Sequence, residues 1–278
     1  MSRNGSQYQD LSQLRTPSND GPTVLTVASG KGGVGKTHLS VNVAVCLADM
    51  GYRVLVVDGD LGLANVNVLL GINPGYHAGH LLDGTQPFDK VVDEIEENLH
   101  ILPAGSAMVQ MAELDMASQV RLLERLDLYR RPYDFVLIDA SAGIGANVRL
   151  ALAIAHQTIV VMNPEMTSLT DAYALVKVAF RSGCKGPFQV VVNRVRLAEQ
   201  AREMHTCLSS AAGALLGLEL EYAGYVYLDS VVERAMREQK PFVRVYPRAP
   251  ASRCITTLAH RLVALNSGRK ESRSTGGR

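Results

Sequence analysis

From Thr23 onward the chain alternates two textures: short runs that are apolar at nearly every position, and longer segments whose apolar residues recur every three or four positions. The short runs are VLTVAS ending at Ser29, 53-RVLVVDGD, 99-LHILPAG, 133-YDFVLIDA, 157-QTIVVMN, 187-PFQVVVN and 222-YAGYVYL. They are β-branched, apolar on both faces and bounded by polar residues or glycine, which predicts strands covered by helices on each side. Between them fall 36-KTHLSVNVAVCLADMG, 116-MASQVRLLERLDLYR, 145-GANVRLALAIAHQ, 167-TSLTDAYALVKVAFRSG, 197-LAEQAREMHTCLSSAAGALLG and 228-LDSVVERAMREQ. These predict helices, the first stopped by Gly51. The alternation implies an α/β fold: one doubly wound, mostly parallel sheet flanked by helices, with ligands at the carboxyl ends of the strands.

A last helix is predicted from Ser252 to Asn266, where Ile255, Leu258, Leu262 and Leu265 form one stripe suited to core packing. The domain is therefore drawn at 22–266. Residues 1–21 are polar and read as a flexible segment in which Tyr8 to Arg15 has the length of a short partner-binding helix. Residues 267–278 read as a disordered basic tail.

Composition narrows the function. A chain of 278 residues that is 47% hydrophobic suits one large α/β domain. With 28 basic and 27 acidic side chains the net charge is +1, so no strong global field favours nucleic acid, which is not expected as a partner. The four cysteines, Cys46, Cys184, Cys207 and Cys254, form no C-x-x-C pair and read as small buried hydrophobes in a reducing cytosol. Neither a secretory pattern nor a long apolar run occurs, and a cytoplasmic place is expected.

The chemistry lies at three strand ends. Gly30-Lys31-Gly32-Gly33-Val34-Gly35-Lys36-Thr37 follows a strand, opens a helix and fits G-x-x-x-x-G-K-T, the pattern of a phosphate loop. Its glycines let backbone N–H groups turn toward phosphate oxygens, Lys36 neutralises them, and Thr37 offers its hydroxyl to Mg²⁺. The next residue, His38, joins the candidate nucleotide-binding set. A second strand ends in Asp58-Gly59-Asp60, where the two carboxylates either share a face of extended chain or divide between strand end and mobile loop. A third runs into Asp139-Ala140-Ser141-Ala142-Gly143: an aspartate after apolar residues suits the Mg²⁺ shell, and Gly143 offers an unobstructed N–H to a γ-phosphate. Together they predict one Mg–ATP site.

The lysine right after Gly30 makes KGGVGKT resemble the deviant phosphate loop of the MinD/ParA-type ATPases. The resemblance spans about residues 22 to 265 and implies Mg-dependent ATP hydrolysis, slow and partner-regulated, in an ATP-dependent homodimer. It assigns Lys31 to the partner subunit's phosphates, Asp58 to the Mg²⁺ shell, Asp60 to the attacking water, and Asp139 with Gly143 to the γ-phosphate switch. Asn163, Pro164 and Glu165 of NPEMTSLTDAYALVK resemble a segment lining the nucleotide site near the ribose, and Asn193 an adenine-contacting asparagine. Tyr227 stands where that family usually has proline.

Within the family, DGDLGLANVNVLLGI, DASAGIG and VVERAMREQKPF are most similar to the FlhG/FleN/YlxH regulators of flagellar number. That implies as further partners an FlhF-like GTPase and flagellar or transcriptional regulators, although 9-QDLSQLR matches the GTPase-stimulating motif only at Leu14 and Arg15. A peripheral place at the inner membrane face or cell pole is left open, because no second amphipathic helix follows the last stripe. The alternative is a ParA-type ATPase binding DNA non-specifically, with Arg130, Arg131, Arg181, Lys185, Arg194 and Arg196 as candidate contacts. An iron–sulfur carrier would need paired cysteines, and a tyrosine kinase of this loop type a tyrosine-rich tail; the sequence has neither.

Overall fold

A computed structural model of the chain describes residues 21–59, 65–103, 131–184 and 186–275. The candidate helices at Tyr8–Arg15 and 116–130, and the carboxylate Asp60, lie outside the described residues. The strands are β1 (Thr23–Ser29), β2 (Val54–Gly59), β3 (Asp93–Glu96), β4 (Leu99–Leu102), β5 (Phe135–Ala142), β6 (Gln157–Met162), β7 (Phe188–Val195) and β8 (Leu220–Tyr227). They form one eight-stranded sheet in the order β3-β4-β2-β5-β1-β6-β7-β8. Every neighbouring pair is parallel except β3 with β4. The pattern did not show β3, DEIE, because an antiparallel edge strand needs no apolar covering on both faces, and its burial alternates accordingly.

The described helices are α1 (Lys36–Asp49), α2 (Asn65–Leu70), α3 (Ala78–Leu82), α4 (Phe88–Val91), α5 (Ala146–Ala153), α6 (Met166–Arg181), α7 (Ala198–Leu216), α8 (Ser230–Arg237), α9 (Phe242–Val245) and α10 (Pro250–Thr275). Two cores result, one on each face of the sheet. On one, Val24, Val136, Val160 and Val190 meet Leu152, Leu175 and Leu208 of α5, α6 and α7; on the other, Leu25, Val56, Leu137 and Val161 meet Val43, Leu47, Ile255 and Leu258 of α1 and α10. α1 is buried along almost its whole length because the sheet covers one side and α9 and α10 the other.

Ile255, Leu258 and Leu262 are buried, as core packing requires. The helix that carries them nevertheless continues to Thr275, beyond Asn266, where a disordered tail was expected to begin. Once a packed stripe has nucleated a helix, each further residue adds a backbone hydrogen bond at little cost, and no proline interrupts the basic segment. The cysteine expectation also needs correction. Cys46 and Cys184 are buried, but Cys207 is exposed on α7 and Cys254 is only half-buried.

Order reverses at β1, whose neighbours are β5 and β6, while the chain itself runs from β1 through α1 to β2. A crevice opens at the carboxyl end of such a switch strand, and the glycine-rich loop occupies that position.

Candidate functional site

The loop from Gly30 to Thr37 links β1 to the first turn of α1. Gly33 (φ 75°) and Gly35 (φ 94°) adopt left-handed conformations that favour glycine. Gly30 and Gly35 are also needed for space. A Cβ on Gly30 would stand 2.0 Å from the main-chain oxygen of Asp171 in α6, and one on Gly35 2.3 Å from Asn193 Nδ2. Ser29 Oγ donates to the carbonyl of Lys31 at 2.7 Å, and Asn193 Nδ2 donates to that of Val34 at 2.7 Å. The loop is thus braced from β1, α6 and β7, a preorganised frame for phosphate at the N-terminus of a fourteen-residue helix.

Lys36, the first residue of α1, is 7% exposed. Beneath it Asp58 and Asp139, at 1% and 0%, face each other in register across β2 and β5. Ser40, one helical turn after Lys36, places its hydroxyl 2.9 Å from Asp139 Oδ1 and 3.1 Å from the Lys36 carbonyl, joining helix start to strand end. Spacing alone could have revealed Ser40, since residues i and i+4 share a helix face. The donors suit a hard cation with phosphate: the Thr37 hydroxyl and two carboxylates for Mg²⁺, an ammonium and loop amides for phosphate.

A cleft of about 280 Å³ opens beside the loop, walled by Gly32, Gly33, Gly35, Lys36, Thr37 and His38 on one side and Val68, Leu69 and Met236 with Arg194 on the other. Burial, and then the Arg194 charge, push the His38 pKa below its ordinary value. Arg194 has a left-handed φ of 59°, uncommon for a residue with a side chain, and its N–H donates to Asn193 Oδ1 at 2.9 Å. The Asn193 amide, expected to meet adenine, is engaged with the loop and with Arg194. Gly143 (φ 95°), expected to face the γ-phosphate, donates its N–H to Ser29 O at 2.9 Å and ties the exits of β5 and β1 together.

Asn163, Pro164 and Glu165 are not among the walls of this cleft. They stand on the side of Lys31, whose ammonium lies 3.4 Å from Glu165 Oε2 and 3.5 Å from Thr167 Oγ1. Both charged side chains are largely in solvent, at 44% and 56% exposure. Asn163 is itself buried, its N–H donating to Ser168 Oγ at 2.9 Å.

Six of the nine large apolar side chains exposed among the described residues lie after strand ends or in the cleft wall. Val68 follows β2, Ile144 β5, Met166 β6, Leu197 β7 and Leu228 β8, and Met236 lines the cleft; all are exposed. Exposed apolar residues gathered on one end mark an interaction face. Of the candidate DNA contacts, Arg131 stacks 3.7 Å over the Phe88 ring, Arg181 ends α6, and Arg194 borders the cleft, so these three belong to separate parts of the surface.

A family model described as an AAA domain matches residues 22–181. The chain is 34% identical to antiactivator FleN of Pseudomonas aeruginosa over 239 residues, covering 86% of this chain and 85% of FleN. It is 29% identical to the flagellum site-determining protein YlxH of Helicobacter pylori over 270 residues, 95% of this chain and 91% of YlxH. Among solved structures, the septum site-determining protein MinD complexed with Mg-ADP from Pyrococcus horikoshii superposes with a TM-score of 0.72 at 26% identity, covering 90% of this chain and 98% of that one.

Proposed function

The chain belongs to the AAA domain family and, within it, to the MinD/ParA-type ATPases, and from that premise we propose that it is an ATP-dependent dimerisation switch governing flagellar number or placement. The observation that carries the reading is the position of Lys31: it belongs to the phosphate loop, yet its ammonium lies outside the cleft that loop builds and is half in solvent. A cation so placed can serve the phosphates of a second copy. The exposed apolar residues around the cleft would be covered in the same step.

In that reading Lys36 and the loop amides bind the triphosphate, while Thr37, Asp58 and Asp139 hold Mg²⁺, which when bound offsets phosphate charge. Lys31 from the partner adds positive charge where negative charge develops, as an arginine finger does. Asp60 orients the attacking water. Asn193 and the segment Asn163–Glu165 meet the nucleoside once the loop is filled. A ligand shifts an equilibrium only by its differential affinity for two states, and the γ-phosphate supplies that difference by drawing Lys31 from Glu165 toward a second subunit.

The name of the flagellum site-determining relative YlxH supports the flagellar assignment, and Mg-ADP in the MinD structure supports the cofactor set. An FlhF-like GTPase and a flagellar or transcriptional regulator are the partners proposed. No described helix is long and apolar enough to cross a membrane; similarity to the flagellum site-determining relative supports a cytoplasmic place with peripheral attachment at the membrane or pole. The test is turnover per subunit as a function of protein concentration: a lysine acting in trans makes it rise and then saturate. A specific activity independent of concentration across the range where monomers become dimers would refute the reading.

A further inference from the structure

At the far edge of the sheet, β8 has a neighbour on one side only. Its register with β7 slips: Val190 faces Tyr222 and Val191 faces Gly224, so Ala223 is the extra residue of a β-bulge. In an unbroken strand, residues three apart point to opposite faces. Here Tyr222, Tyr225 and Tyr227 all pack toward the α6/α7 side, while Ala223 and Val226 enter the core under α1 and α10. The bulge thus lines up three tyrosines on one face. Tyr225 and Tyr227 have hydroxyls 3.3 Å apart, and the Tyr222 hydroxyl is buried with no hydrogen-bond partner among the described residues.

Arginines reach this edge from both flanking helices. Arg202 of α7 and Arg253 and Arg261 of α10 border a cleft of about 430 Å³ that the tyrosines also line, and no carboxylate is among its walls. Arg261 donates to the carbonyl of Tyr222 at 3.2 Å and to that of Ala223. A bulge and a guanidinium on the edge carbonyls both discourage pairing with another strand, so recognition here must run through side chains. Tyrosine and arginine are enriched among the residues that dominate protein-interface energies, and guanidinium matches carboxylate in a bidentate fork. The positive potential is local, since the chain carries a net charge of only +1 and a pI near 7.7. That suits a short acidic segment better than a polyanionic backbone, which needs a longer basic footprint.

We propose that the β8 edge is a docking site for an acidic peptide segment of a partner protein, its carboxylates paired with Arg202, Arg253 and Arg261 and an aromatic side chain laid against Tyr225 and Tyr227. The site is separate from the nucleotide cleft and does not depend on the switch reading.

Fluorescence anisotropy with the full chain tests it, using a labelled glutamate-rich peptide carrying one phenylalanine, its lysine counterpart, and an oligothymidine of equal charge. The glutamate peptide should bind, weaken with salt, and lose about tenfold in affinity for each charge-assisted contact removed in Arg202→Glu/Arg253→Glu. Binding of a fluorescent ADP analogue should stay as in the wild type, which verifies the fold. Arg253→Gln, an exposed single change, should give a smaller loss in the same direction. Equal binding of both peptides, unchanged affinity in the variants, or tighter binding of oligothymidine would each overturn the proposal.

Discussion

Lys31 Nζ lies 3.4 Å from Glu165 Oε2, so the cation of the phosphate loop is held by a carboxylate at the start of α6 in its own chain. The pair is half in solvent, and exposed pairs of this kind contribute no more than about 1 kcal/mol. It is a restraint weak enough for a triphosphate to overcome. Glu165→Gln should release Lys31 and tighten dimerisation with a non-hydrolysable ATP analogue by up to about fivefold. Sedimentation velocity reads this directly, and an unchanged dimer constant would show that Glu165 does not restrain Lys31.

The glycines of the loop and Gly51, which follows α1, should differ sharply in tolerance. Gly30→Ala would drive Cβ to 2.0 Å from the Asp171 oxygen, a main-chain atom of a packed helix, and should abolish nucleotide binding or folding. Gly35→Ala combines a φ of 94° with a clash against Asn193 and should also lose binding. Gly51, at φ 86° with nothing near its Cβ, should cost only about 1–2 kcal/mol when changed to Ala. Thermal melts with and without ADP distinguish the three.

Ser40→Ala removes the hydroxyl that touches both Asp139 and the Lys36 carbonyl. Stability should fall by about 1–3 kcal/mol, the usual cost of disturbing a buried hydrogen bond to a charged group. The Mg²⁺ dependence of ADP binding should shift to higher metal concentration, because Asp139 loses its orienting contact. Calorimetric titration at several Mg²⁺ concentrations checks this; an unchanged Mg²⁺ dependence would leave Ser40 a purely structural role.

Acidification should destabilise the fold in a defined window. The His38 pKa in the folded chain lies below the ordinary 6.5, through burial first and Arg194 second. Below pH 6.5 the unfolded chain therefore takes up the proton before the folded one does, and stability falls until the lowered folded value is passed. His100 and His77 are shifted the same way, each chiefly by burial, and add to the effect. Urea denaturation between pH 7.5 and 5 should show the decline, shallower in His38→Gln; a flat profile would contradict a lowered pKa at the half-buried His38.

Much of the architecture was legible because strands buried on both faces leave continuous apolar runs that few other elements produce. β1, β2 and β5 to β8 fall where VLTVAS, VLVVDG and their counterparts predict them. β3 was hidden by its edge position, and the outer length of α10 by a polar composition that resembles an unfolded tail. The phosphate loop was readable from spacing, since glycine, lysine and threonine each have a separate physical task there. Arg194 and Met236 were not seen as cleft residues, because only the return of β7 and α8 to the loop brings them near it. Nor could spacing show that Asn193 braces the loop through Val34, a contact across 159 positions of sequence.

Coupling of ATP occupancy to dimerisation through Lys31 can be read by light scattering. Wild type and Lys31→Ala would be compared with ADP and with a non-hydrolysable ATP analogue. A dimer is expected only for wild type with the analogue, and a monomer in the other three conditions. A Lys31→Ala chain that dimerises with the analogue as readily as wild type would contradict it.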